Sequence, residues 1–325
     1  MSLLFNLTRA AVDYAGLFPP AGLPMADVVA NYSQYLSSGE SPMLGRLIAP
    51  AARLSEFEQA AEKLLPNNRS ANPWRISALV PPITGSENLL DTSALDAAFD
   101  LIRLFNDKHH QPEGLGVTID SIETKTPTPF ILEATIDRTP KDICAFLEIP
   151  HDKDPSQLIG MIAETKNNKP VFAKIRTGGV TPEQIPPTVE VARFITTCAR
   201  HNVGFKATAG LHHPIRGTYR LTYQDDSPTG LMHGFLNVFV ASLLAFEYSL
   251  PTETVADILA NELPDAFGFK NNQLTWNDYQ ISAERVIQLR ESGIISFGSC
   301  SFAEPTQELQ QIPGMSFEAI FQNNK

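Results

Sequence analysis

The stretches VFAKIRTGG (residues 171–179) and GFKATAG (residues 204–210) each set a lysine inside a β-rich run that ends in glycine. Side chains alternate faces along a strand. Lys174 and Arg176 therefore share one face, with Ala173 and Ile175 on the other. Lys206 and Thr208 share a face, with Phe205, Ala207 and Ala209 opposite. Strands that are apolar on one side and cationic on the other suit a barrel whose outer face packs on helices and whose interior carries charge.

Similar runs recur along the chain: MLGRLIAP (43–50), WRISALVPP (74–82), GLGVTIDSIE (114–123), ICAFLEIP (143–150) and IISFGSC (294–300). Several end in proline or glycine, as a strand entering a loop does. Between them lie helical patterns such as LSEFEQAAEKLL (54–65), TSALDAAFDLIRLFN (92–106) and VEVARFITTCARHN (189–202), with apolar residues three to four apart. Strand–helix alternation predicts a parallel sheet. With no Gly-x-Gly-x-x-Gly turn, the expectation is an α/β fold, a closed (β/α)8 TIM-type barrel rather than a doubly wound sheet. FGFKNNQLTW (267–276) reads as a β-hairpin insertion around Asn-Asn, one arm of which is a candidate eighth barrel strand. Residues 1–42 read as an N-terminal extension packing on the barrel, with 11–24 a proline-stiffened strap across one end. Residues 1–325 then form one domain.

Composition narrows the function classes. The chain has 325 residues and is 43% hydrophobic, enough for a sizeable core. Its net charge of −11 and lack of a basic block argue against nucleic acid or an anionic membrane as partner. Cys144, Cys198 and Cys300 are odd in number and far apart, which speaks against disulfides and a structural zinc site. Arg9 and Asp13 interrupt the N-terminal apolar run, so neither a signal peptide nor a membrane span is expected, and the cytoplasm is the expected location. Residues 230–248 are apolar nearly all round, which predicts a buried helix or a homo-oligomer contact.

Strand alternation also points Arg46 and Glu148 inward, and Asp120 lies near the end of its run in an ambiguous register. Buried unpaired cations are costly. One explanation is internal ion pairing, Lys174 with Glu148 and Arg176 with Asp120. The other is a site at the C-terminal mouth that binds a small anionic metabolite. Lys174, Lys206, Asp120 and Glu148 would act there, and Arg46, Arg176, Thr177, Gly178, Gly179, Thr208, Gly210 and Arg216 would surround the ligand. His212 and His213 follow the Gly210 break and so sit on a loop at the rim. One of them is expected to reach the site. A metal-dependent hydrolase or isomerase using His212, His213, His233 and Glu148 is the alternative, and a non-catalytic anion-binding barrel is a third reading. His151 is a candidate for the same rim. His109 and His110 read as a solvated helix end.

AKIRTGGVTPEQ followed by FKATAG resembles the paired lysine strands of deoxyribose-phosphate aldolase, a class I aldolase with a (β/α)8 fold. About forty residues and Asp120 carry the resemblance. It implies a carbon–carbon lyase without a cofactor, in which Lys174 forms a Schiff base, Lys206 lowers its pKa by like-charge proximity, and Asp120 relays protons. Arg176 and the His-His-Pro sequence have no clear counterpart in that family.

Overall fold

The computed structural model describes residues 3–66, 73–111, 113–165, 168–270, 272–312 and 315. Eight parallel strands close into a barrel: β1 (Val12–Tyr14), β2 (Leu44–Pro50), β3 (Trp74–Leu79), β4 (Val117–Lys125), β5 (Cys144–Glu148), β6 (Val171–Arg176), β7 (Phe205–Thr208) and β8 (Ile294–Ser299). Each pairs with its neighbours in chain order, and β1 completes the ring between β8 and β2. Helices separate successive strands, from Met25–Leu36 after β1 to Thr188–His201 after β6. The fold is a (β/α)8 barrel.

All seven strands expected from the sequence are present. The eighth is not an arm of the 267–276 hairpin. Gly268–Lys270, Gln273–Trp276 and Tyr279–Ser282 form a separate antiparallel sheet. The closing strand is instead the three residues Val12–Tyr14, so residues 1–42 are not simply appended to the barrel. The expectation of a strap holds for the segment after β1, where Ala15, Phe18, Pro19 and Pro20 lie over the barrel mouth.

Two features of the interior position the site. First, Phe146 of β5 stacks on Phe172 of β6 with ring centroids 5.5 Å apart, filling part of the barrel with aromatic surface. The Lys206 ammonium lies 5.5 Å from the Phe146 ring, and the Arg46 guanidinium lies 5.9 Å from it. Second, β4 carries a bulge. Ile119 is opposite Ile76, but Ser121 is opposite Ser77, so Asp120 is one residue too many. Such an insertion exchanges the faces of every side chain beyond it.

The apolar segment at 230–248 resolves into a short strand, Thr229–Met232, and the helix Phe235–Tyr248. Every residue from Phe235 to Ala245 is buried within the chain. Its Phe235 ring stacks on Phe297 of β8 at 4.7 Å. Intramolecular burial accounts for its composition from Phe235 to Ala245, while Tyr248 at its end is exposed. No helix among the described residues is long and apolar enough to cross a membrane.

Candidate active site

Lys174 on β6 and Lys206 on β7 are directly opposite in the strand register. Both point into the barrel, where Lys174 is 5% exposed and Lys206 fully buried. Glu123 of β4 joins them: its Oε2 lies 3.0 Å from the Lys174 ammonium and its Oε1 2.7 Å from that of Lys206. Ser77 donates a hydrogen bond to the same Oε1 at 3.0 Å. Lys174 also contacts Glu148 Oε2 at 3.0 Å. Lys206 also donates to Asp13 Oδ2 at 2.5 Å, and Ser296 donates to that oxygen at 2.7 Å. The other Asp13 oxygen accepts the Arg46 backbone N–H at 2.6 Å. A Cβ at residue 45 would come within 2.2 Å of Asp13 Oδ1, so glycine is needed there for the aspartate to fit.

Two ammonium groups thus face three carboxylates, Asp13, Glu123 and Glu148. Burial disfavours the charge on Lys174, but Glu123 and Glu148 outweigh it and hold its pKa above the ordinary value. The expected depression by Lys206 is therefore absent from the resting site. Burial likewise opposes the charge on Glu123, yet the two lysines hold its carboxyl well below the usual carboxylate range.

Above this floor lies a cavity of about 350 Å³. Glu123, Lys174 and Lys206 form its charged base, Phe18, Pro19, Pro20 and Val180 give it apolar cover, and His212 and Cys300 form part of its wall. Arg176, Gly179, Thr208 and Gly210 also line it. Arg176 is two residues beyond Lys174 on the same strand and is exposed. Its Nε donates to the Gly178 carbonyl at 3.2 Å, which turns the guanidinium along the rim.

Several expected ligand contacts prove to be braces between loops. Thr177 donates its hydroxyl to the Ala209 carbonyl at 2.8 Å. Gly178 meets Gly210 backbone to backbone, so a Cβ at either would sit 2.9–3.0 Å from the other's Cα. Gly210 also has φ +73°, a conformation that favours glycine. The Val180 N–H is taken by Gln184 Oε1 at 2.8 Å. Arg216 lies outside the cavity lining, its backbone N–H bonded to Asn237 Oδ1 at 2.9 Å.

Asp120 and Arg46 belong to a different cluster. Arg46 Nε lies 2.6 Å from Asp120 Oδ1, and Arg75 Nη2 lies 2.5 Å from Asp120 Oδ2. Arg46, Arg75 and Asp120 occupy the early part of their strands, toward the N-terminal end of the barrel, and the Phe146 ring contacts both this cluster and Lys206. Neither Asp120 nor Arg46 lines the cavity. The expected proton relay through Asp120 and anion contact through Arg46 lack a geometric basis, and the Arg176–Asp120 ion pair is not formed. The Lys174–Glu148 pair is.

The histidines separate. His212 lines the cavity, with Nδ1 3.0 Å from Glu304 Oε2. Tyr223 donates to the same Glu304 oxygen at 3.0 Å. His213 faces a neighbouring cleft, with Nδ1 2.8 Å from Glu308 Oε2 and its ring stacked on Tyr219 at 3.5 Å. His233 is buried elsewhere, its Nε2 2.8 Å from the Pro186 carbonyl, and burial pushes its pKa down to about 4. His212 and His213 share that cleft with ring centroids 6.4 Å apart, His233 lies away from both, and among the described residues no three His, Cys, Asp or Glu side chains are grouped as metal ligands. His151 pairs with Glu190 at 2.7 Å. His109 is buried against Phe105 and bonded to Glu58 at 2.8 Å, not solvated.

Three groups escaped the sequence reading: Glu123 and Cys300, which line the cavity, and Asp13, buried beneath it. Asp13 sits in AAVDYAG, which has the same pattern as the lysine strands, one charge among small apolar residues. Cys300 follows Ser296 and Gly298 at alternating positions in IISFGSC, on the face that meets Lys206. Compared with protein-family models, with curated proteins and with solved structures, the chain gives no match.

Proposed function

We propose that the chain is a carbon–carbon lyase of the class I aldolase type, acting through a Schiff base on a small phosphorylated or carboxylated carbonyl compound. One observation carries the reading: Lys174 and Lys206 stand abreast at the base of a cavity, joined by Glu123. The similarity of these two strands to deoxyribose-phosphate aldolase supports it.

The chemistry begins with a proton. Lys174 is held as an ammonium and is not a nucleophile until it loses one. Glu148, at 3.0 Å and only partly buried, is placed to take it as a carbonyl compound displaces water from the cavity. The free amine attacks the carbonyl carbon, forming a C–N bond and a carbinolamine. Glu148 returns the proton to the carbinolamine oxygen, which leaves as water, and an iminium remains on Lys174. On cleavage Glu148, a carboxylate again, takes the proton of the β-hydroxyl, that carbon becomes a carbonyl, and the electrons of the bond between it and the carbon next to the iminium flow to the Lys174 nitrogen. Glu123 and Lys206 keep the local field fixed while the charge on Lys174 passes from ammonium to iminium.

The test is incubation with a panel of aldehydes and ketones, then borohydride reduction and mass spectrometry. An adduct on Lys174, abolished in Lys174→Ala, is the expected result. No adduct with any compound, together with retained anion binding, would favour the non-catalytic anion-binding barrel, a reading to which the complete ion pairing of the floor lends weight.

Arg176 is assigned the anionic end of the substrate because it stands directly above Lys174 on the same strand face. Removing a charge-assisted hydrogen bond costs about 1.5–3 kcal/mol. Arg176→Ala should weaken binding of glycolaldehyde phosphate by roughly that amount, ten- to a hundredfold, measured by calorimetry. Unchanged affinity would remove Arg176 from the site.

A further inference from the structure

The lysine floor offers no free base. Glu123 is engaged through both oxygens, by Lys174 on one and by Lys206 and Ser77 on the other. Its depressed pKa makes it a weak proton acceptor. Glu148 is bonded to Lys174 and is used at the carbonyl oxygen. Yet the enamine left by cleavage must receive a proton on the neighbouring carbon before the product is released, and in the reverse direction the imine must give that proton up, so the carbon needs an acid–base group.

His212 lines the same cavity and lies outside the lysine network. Glu304 holds its Nδ1 at 3.0 Å, and Tyr223 steadies that carboxylate. Such a bond fixes the ring and its tautomer, leaving Nε2 as the exchanging atom. Cys300 Sγ lies 3.9 Å from Nδ1 and 3.9 Å from Nε2. The thiol lies beside the ring at the long limit of a sulfur hydrogen bond to either nitrogen, and Nε2 has no other partner among the described residues.

We propose that His212, positioned by Glu304, is the base that takes a proton from the carbon next to the Lys174 imine and returns it. The substrate class is thereby narrowed to carbonyl compounds with at least one hydrogen on that carbon. The inference rests on the Schiff-base reading above. In the step, the C–H bond breaks and the proton moves to Nε2. The C–H electron pair forms the C=C bond, and the C=N pair returns to the Lys174 nitrogen. Reversal regenerates the imine, so no oxidant or reductant is needed.

Burial opposes charge on His212, but Cys300 and Glu304 outweigh it and its pKa is pushed up to about 9. The groups facing the ring are Glu304, Tyr223, Cys300 and His213, with Glu308 behind His213. Only the neutral ring accepts a proton, so transfer should quicken as pH rises from neutrality and level off above about 9.

The experiment follows two signals on one sample. The full chain is incubated in D2O with acetaldehyde, hydroxyacetone and pyruvate. Borohydride trapping reads imine on Lys174, and proton NMR reads exchange of the adjacent C–H. The expected result in His212→Gln is an unchanged adduct with exchange slowed about 100-fold or more, the low end for loss of a general base. Glu304→Gln, a near-isosteric change that leaves Nε2 intact, should keep the adduct and move the midpoint of the pH profile downward. Exchange at the parent rate in His212→Gln, or a parent protein that forms the adduct without exchange, overturns the role of His212 alone. An unmoved profile in Glu304→Gln overturns the role of Glu304. No adduct in the parent protein overturns the Schiff-base reading and this inference with it.

Discussion

Lys206→Met should lower the unfolding free energy by about 3–5 kcal/mol, the range for breaking a buried ion pair by removing one partner. Lys206 is fully buried and shared by Asp13 and Glu123, themselves almost completely buried. Methionine fills a similar volume, so lost packing contributes little. What remains is two buried carboxylates with one ammonium fewer between them. The cost comes from leaving those charges uncompensated, not from the intrinsic worth of the pair. Denaturant unfolding measures it. A second substitution separates the causes: adding Asp13→Asn removes one stranded charge, and the double variant should recover part of the loss. If Lys206→Met costs less than about 1 kcal/mol, the network behaves like an exposed ion pair and the burial argument fails.

Acid should destabilise the parent protein in a window set by Glu123. The sign follows from the depressed pKa in the folded state. The stabilisation is complete above the unfolded value of about 4.3 and is lost as pH falls below it toward the lower folded value. Within that window one carboxylate changes stability by up to about 1.4 kcal/mol per pH unit. Asp120 and Glu304, also held low by cationic partners, add to the slope in the same direction. Urea unfolding between pH 3 and 7 should therefore show a steep decline in the parent protein and a flatter one in Glu123→Gln. Parallel curves would mean that Glu123 does not carry the dependence.

The barrel and the paired lysines were legible because β6 and β7 obey strict alternation. The same rule misled at β4. Counting through VTIDSIE puts Glu123 on the face of Ile119, away from Asp120. The bulge at Asp120 reverses the faces beyond it, so Glu123 reaches the lysines and Asp120 turns to Arg46 and Arg75. A one-residue register slip leaves no trace in composition or spacing. β1 was missed for another reason: three residues with an aspartate at the centre are too short to show a period. Its identity depends on partners that lie nearly a whole chain away.

That distance has a consequence for how the molecule is made. Asp13 bonds Lys206, 193 positions later, and Ser296, 283 positions later. On the ribosome β1 emerges first, its neighbour β2 follows, and the β7 lysine and β8 serine that reach its aspartate emerge late. Until then Asp13 has the Arg46 N–H for one oxygen, and the other lacks its Lys206 and Ser296 partners. Ring closure and neutralisation of the floor are therefore a single late event with very high contact order. A nascent chain stalled before β8 has every helix up to residue 292 available but an open sheet edge and an unfinished charge cluster. Such intermediates are sticky, and the pairing of the first strand with the last closes the ring.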